Sequence, residues 1–160
     1  MAKVISGRMT HDYDGDLVVF LIGMRINKPW RPDLWLPVFN AMPTMLAELS
    51  KDADSGLLGY RLMIGAGGPL VVQYWSSSEK LYAYASDRTS EHRPAWAAFN
   101  RQVRKAPGAV GIWHETYVVE QAESIYSGMP VSGLAVATTS ITVARRGETA
   151  AERLGVRQAA

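Results

Sequence analysis

The stretch DLVVFLIGMRI, Asp16 to Ile26, constrains this chain more than any other. It is apolar and rich in β-branched residues, with the turn-forming YDGD before it and NKPW after it. Its length and flanks favour a buried strand over a helix. Every later element has to be arranged around that strand.

The rest of the chain alternates in period. VFNAMPTMLAELSKDA places Phe39, Met42, Met45, Leu46 and Leu49 at helical spacing, with Pro43 predicting a kink or a helix start just before it. SGLLGYRLMIGAGGPLVVQYWSS reads as two strands around the turn GAGG. In SEKLYAYASDRTSEHRPAWAAFNRQVRKA, Leu81, Ala85, Arg88, His92, Trp96, Phe99 and Val103 fall close to one helical face. Pro94 predicts a break into two pieces, the second starting near Arg93 or Pro94. AVGIWHETYVVE supplies a fourth strand.

The order β-α-β-β-α-β predicts an α+β, ferredoxin-like fold: a four-stranded antiparallel sheet with both helices on one face. The reading places an N-terminal extension at 1–15, the domain at 16–134 and a tail at 135–160. The small-residue part of that tail is predicted to pack across the domain, and the last dozen residues to be loosely ordered.

Composition excludes several classes. No cysteine is present, which removes disulfides, thiolate metal sites and cysteine nucleophiles. A net charge of +2 with no basic stripe gives no footprint for nucleic acid. Leu17 to Met24 is too short to span a bilayer, and no secretory signal is visible, so the expectation is a cytoplasmic protein without a membrane partner. No P-loop, dinucleotide fingerprint or nucleophile elbow occurs.

Alternation sorts the strand residues. Val18, Phe20, Ile22, Met24 and Ile26 suit the helix-covered face, whereas Arg25 ends the opposite set. In the fourth strand Trp113, Glu115 and Tyr117 are assigned to the open face, and His114 nominally to the helices. Gln73 and Trp75 alternate with Val72 and Tyr74 in the third. His92, just before Pro94, reads equally as a proton shuttle, an axial heme ligand or a local cap. His114 reads equally as a functional group or a hydrogen-bonded sheet residue. His11, in a polar stretch, reads as solvated surface. Glu91, His92, His114 and Glu115 have no spacing that supports a metal site.

VVFLIGMRINKPW, WLPVFNAMPTMLAEL, VVQYWSSSEKLYAYA, HRPAWAAFNR, VGIWHETY and IYSGMPVSGL together resemble a bacterial family labelled monooxygenase, of the dimeric α+β-barrel, antibiotic-biosynthesis-monooxygenase-like superfamily. The resemblance runs from Asp16 to Leu134. It implies a homodimer whose open sheet faces meet, burying roughly 2,000 Å² or more. It also implies a monooxygenase-like enzyme acting on a flat, apolar aromatic compound without a cofactor, in a pocket between the open sheet face and the second helix. His92 would be the base, Arg25 and Tyr117 donors, Trp75 and Trp113 walls with Gln73 beside them, and His114 or Glu115 supporting groups. Heme-degrading monooxygenases, aldoxime dehydratases and chlorite dismutase-like proteins share the superfold. Their similarity implies a second reading, a heme enzyme with His92 or His114 on iron. A third reading is a non-catalytic ligand-binding dimer.

Overall fold

The computed structural model describes residues 2–87 and 89–155. Among these residues seven strands and six helices follow in the order β1 (Ile5–Asp12), β2 (Leu17–Ile26), α1 (Pro32–Leu49), β3 (Leu57–Gly65), β4 (Gly68–Trp75), α2 (Ser78–Ser86), α3 (His92–Lys105), β5 (Val110–Val119), β6 (Tyr126–Met129), α4 (Leu134–Ala137), β7 (Thr139–Thr142), α5 (Val143–Arg146) and α6 (Ala150–Arg153). The expected β-α-β-β-α-β core is β2 to β5. Its strands form an antiparallel sheet in the order β3-β4-β2-β5, a ferredoxin-like α+β arrangement with α1 and α2 on one face.

Register fixes the two faces. Val18 pairs with Trp75 and Val118, and Phe20 with Gln73 and Thr116. Val18 and Trp75 pack with Leu49 of α1 and Leu81 of α2, with Phe20, Leu57 and Tyr84 against them. This is the helix side, and Trp75, at 1% exposure, is its centre. β3 and β4 turn at Ala66 and Gly67, between the paired Gly65 and Gly68. Gly68, with φ 121°, lies so close to the Met24 carbonyl that no side chain fits.

The opposite face is not open. Leu17, Val72 and Tyr74 are buried under Leu134 of α4, with Tyr13, Leu58, Val119 and Ala137 around them. A bulge between Leu57 and Gly59 brings both Leu58 and Gly59 to this side. A Cβ on Gly59 would stand 2.8 Å from that of Ala137, so glycine here permits the approach of α4.

A second sheet, ordered β6-β1-β7, joins the two ends of the chain. The extension at 1–15 therefore contains a strand, and His11, expected at the surface, is 2% exposed with its Nδ1 2.8 Å from Ser124 Oγ. Arg146 donates to Asp12 and to the His11 carbonyl. Arg153, almost fully buried, pairs with Glu123 and donates to the Gly147 and Glu148 carbonyls. The expected looseness of the last dozen residues does not extend to α6, which carries a complete capping box between Thr149 and Glu152; residues 156–160 lie outside the described residues.

Two helices depart from expectation. α1 starts at Pro32 and runs through both Pro37 and Pro43. In the second helical region α2 ends at Ser86 and α3 starts at His92, close to the expected start near Arg93 or Pro94, but the break lies before Pro94, which sits in the first turn of α3, where a missing N–H costs no intrahelical bond.

Candidate functional site

The break between α2 and α3 is built from short polar side chains. Asp87 Oδ1 accepts from the Thr89 amide at 2.9 Å and its hydroxyl at 2.8 Å, which holds the Asp87 carboxyl below its usual range. The buried Ser90 hydroxyl donates to the carbonyls of Tyr84 and Asp87. Arg88, placed by periodicity on the inward face, lies outside the described residues.

His92 opens α3. Its ring lies 6.3 Å from that of Tyr84, tilted by 58°, and Tyr84 lies 6.3 Å from Trp75. The Tyr84 hydroxyl donates to Glu48 Oε2 at 2.7 Å. Burial and then the Glu48 carboxylate push its pKa far above the ordinary phenol value. His92 Nδ1 is buried with no hydrogen-bond partner among the described residues.

That space is a cleft of about 550 Å³ lined by Ala85 and Ser86 at the end of α2 and by His92, Arg93, Trp96, Ala97 and Asn100 of α3. His92, Trp96 and Asn100 stand at successive i, i+4 positions and so share one helix face. Trp96 is half exposed and lies 5.4 Å from Phe99. No residue of α3 is fully buried, although the helix packs against both α1 and α2. The cleft therefore has an imidazole, an indole surface, a guanidinium and a carboxamide on a mostly apolar wall, of a volume that suits a small organic ligand.

The other expected site residues do not gather there. His114 lies on the helix side, exposed, with its ring 5.6 Å from Phe20. Gln73 is buried on the same side, accepting from Trp75 Nε1 at 2.9 Å, and its own amide nitrogen meets only the Met42 sulfur at 3.9 Å. Trp75, expected to wall the pocket, is core. Trp113, Glu115, Tyr117 and Arg25 occupy the opposite face. Trp113 covers Gly23, where a Cβ would come within 2.6 Å of the indole. Tyr117 donates to Glu115 at 2.8 Å, a bond that raises its pKa, and Arg25 donates to the Ala66 carbonyl in the β3–β4 turn. A pocket between that face and the second helical region cannot form, because α2 packs on the other side of the sheet.

A smaller cavity of about 230 Å³ lies where β1, the end of β5 and the tail meet, lined by His11, Tyr13, Arg146 and Arg153 among others. Both arginines there are engaged in ion pairs and carbonyl bonds, so the cavity is a seam of the tail. Among the described residues no cluster of metal-ligating side chains occurs and no helix is long and apolar enough to cross a membrane.

Heme in this protein would have to be held by the His92 cleft. An axial imidazole binds iron through one nitrogen while the other donates to a fixed acceptor. Among the described residues His92 Nδ1 has no such acceptor, and the lining comes from α2 and α3 alone, which offers no second wall for a porphyrin. The residues present do not fit that group.

Residues 17–134 match the family described as monooxygenase af470-like. The chain belongs to that family. None of the curated proteins matches. Among solved structures, an aldoxime dehydratase in complex with butyraldoxime is 16% identical, with 71% of this chain and 34% of that one covered at a TM-score of 0.53. SnoaB, a cofactor-independent oxygenase from Streptomyces nogalater, is 10% identical, covering 67% and 96% at 0.47. A dimeric ferredoxin-like protein of unknown function from Thermobifida fusca is 19% identical, covering 68% and 95% at 0.45. At 16% identity the likeness to the aldoxime dehydratase speaks to fold alone, and the monooxygenase-like assignment of this chain rests on the family match.

Tyr84, Glu48, Arg93 and Asn100 were not singled out by sequence. Trp96 and Asn100 share helical spacing with His92, which was a usable signal. Glu48 carries none, because it arrives from another helix.

Proposed function

We propose that this monooxygenase-like chain acts on a flat, apolar aromatic compound bearing an acidic methylene, without heme, in the cleft at the start of α3. The observation that supports it is the placement of His92, Arg93, Trp96 and Asn100 around one cavity of about 550 Å³. Trp96 offers a stacking surface. His92 takes a proton from the substrate carbon, and the Arg93 guanidinium and Asn100 amide stabilise the negative charge that delocalises onto oxygen. The carbanion then reduces dioxygen directly. A C–O bond forms to give a hydroperoxide, and loss of water leaves a carbonyl, so that CH₂ and O₂ become C=O and H₂O with the substrate supplying all the electrons. Two copies pair through the part of the opposite sheet face that the tail leaves uncovered, around the exposed Trp113 and Tyr117.

The test is turnover of hydroxylated anthrones under ¹⁸O₂, with sedimentation of the same preparation reading the dimer. One labelled oxygen is expected in the quinone, and His92→Ala is expected to slow the reaction by about 10²-fold or more. Wild-type rates in His92→Ala would remove the assignment. A Soret band that forms on hemin titration and is lost in His92→Ala would replace it with the heme reading.

A further inference from the structure

α3 begins without a cap of its own. Its N-cap residue, Glu91, has helical backbone angles and makes no side-chain capping bond, and no acidic residue stands in the first turn. A helix start leaves backbone N–H groups without intrahelical acceptors and carries the positive end of the helix dipole. An acceptor, best an anionic one, is needed there.

It comes from α1. The Glu48 carboxylate accepts from the Glu91 amide through Oε2 at 3.1 Å and Oε1 at 3.3 Å, across a sequence separation of 43 residues. The same Oε2 accepts the Tyr84 hydroxyl at 2.7 Å. Glu48 itself is half-buried. One carboxylate thus ties together three elements: α1, which carries it; α2, which carries Tyr84; and the first turn of α3, which carries His92.

We infer that Glu48 is the positioning residue of the His92 cleft, holding the imidazole in place by capping α3 from outside and by fixing the Tyr84 ring beside it. His92 follows Glu91 directly, so the amide that Glu48 holds sets the backbone from which the imidazole projects. The Tyr84 ring, 6.3 Å away, is the surface against which that imidazole rests. Among the described residues the imidazole has no hydrogen bond of its own at Nδ1 to fix its rotation. Its orientation therefore depends on these two neighbours, and both are held by the same carboxylate. Glu48 does not touch a ligand in the cleft, so its role is indirect. This inference rests on the proposed use of His92 for its functional meaning, but the geometric claim can be judged separately.

Two measurements on the full chain separate the claims. The first is the long-range ¹H–¹⁵N spectrum of the His92 ring in wild type, Glu48→Gln, Glu48→Ala and Tyr84→Phe. Glu48→Ala is expected to shift the His92 ring signals while those of His11 and His114 stay in place. Glu48→Gln, which keeps an acceptor oxygen for the Glu91 amide, is expected to restore most of the wild-type pattern. The second is titration with 1,8-dihydroxyanthraquinone as a flat phenolic probe, where Glu48→Ala is expected to weaken binding by about 5–10-fold and Glu48→Gln by less.

A general loss of structure would instead shift signals across all three histidines and would not be rescued by glutamine. That outcome overturns the inference, as do unchanged His92 signals in Glu48→Ala. If His92→Ala binds the probe as wild type does while Glu48→Ala still shifts the His92 ring alone, the site assignment falls and the role of Glu48 in placing His92 stands.

Discussion

The two faces of one four-stranded sheet are covered in different ways. On the helix side, α1 and α2 seat Leu49 and Leu81 against the sheet, with Trp75 at the centre. On the other side, cover comes from the ends of the chain: Leu134 with Tyr13 and Ala122 beside it, a close approach of Ala137 to Gly59, and a small sheet whose inner residues include Thr10 and His11. The first is continuous apolar packing. The second is assembled from short elements pinned by ion pairs and backbone bonds. Apolar packing is insensitive to pH, whereas a buried imidazole among charged neighbours is not.

The difference can be tested by cutting into each side. Trp75→Ala is expected to cost about 3–5 kcal/mol, and Leu134→Ala about 2–4 kcal/mol, of unfolding free energy in urea titrations. If the tail is integral cover, both variants keep a single cooperative transition. A separate early transition in Leu134→Ala would mean that the tail unfolds independently of the sheet.

Gly59→Val is expected to cost about 1–3 kcal/mol, because its side chain meets the backbone of Ala137, 2.9 Å from the Cβ position. Ala137→Gly in the same chain should recover part of the loss, since it removes one of the two colliding carbons. Without recovery, the contact between α4 and β3 is not the source of the cost.

The smallest effect is electrostatic. Burial, and then the positive charge of Arg146, hold the His11 pKa below 6.5, with Asp12 and Glu123 opposing. The unfolded chain then binds a proton that the folded one refuses, so stability is intact above about pH 6.5 and falls as pH drops through the interval below it. The urea midpoint should decline from pH 7.5 to 5.5, and His11→Gln should flatten that decline. An unchanged slope in the variant would assign it to other groups.

The helix-side core was legible because its signals are long. Asp16–Ile26 and the helical stripes of α1 and α2 each repeat over several turns or pleats, whereas alternation placed His114 only nominally towards the helices and did not settle its side. β6 and β7 span four residues each, too few for a period to declare itself. β1 reads as polar because Ile5–Asp12 is mostly exposed and contains Gly7 and Arg8; only Thr10 and His11 are fully buried. The candidate site was legible in part for a related reason. His92 stands out by residue type, but the groups gathered around it are set by where α2 stops, and that stop is made by Asp87, Thr89 and Ser90 rather than by the more conspicuous Pro94. Glu48 joins them only through tertiary packing.

The small sheet also imposes an order in time. β1 is made well before either of its partners: Met9 pairs with Tyr126 on one side and Thr142 on the other. At roughly 5–20 residues per second, its hydrogen-bonding edges stay unpaired for on the order of ten seconds after it emerges. The sparse apolar content of Ile5–Asp12 suits a strand that must wait in water for both its partners.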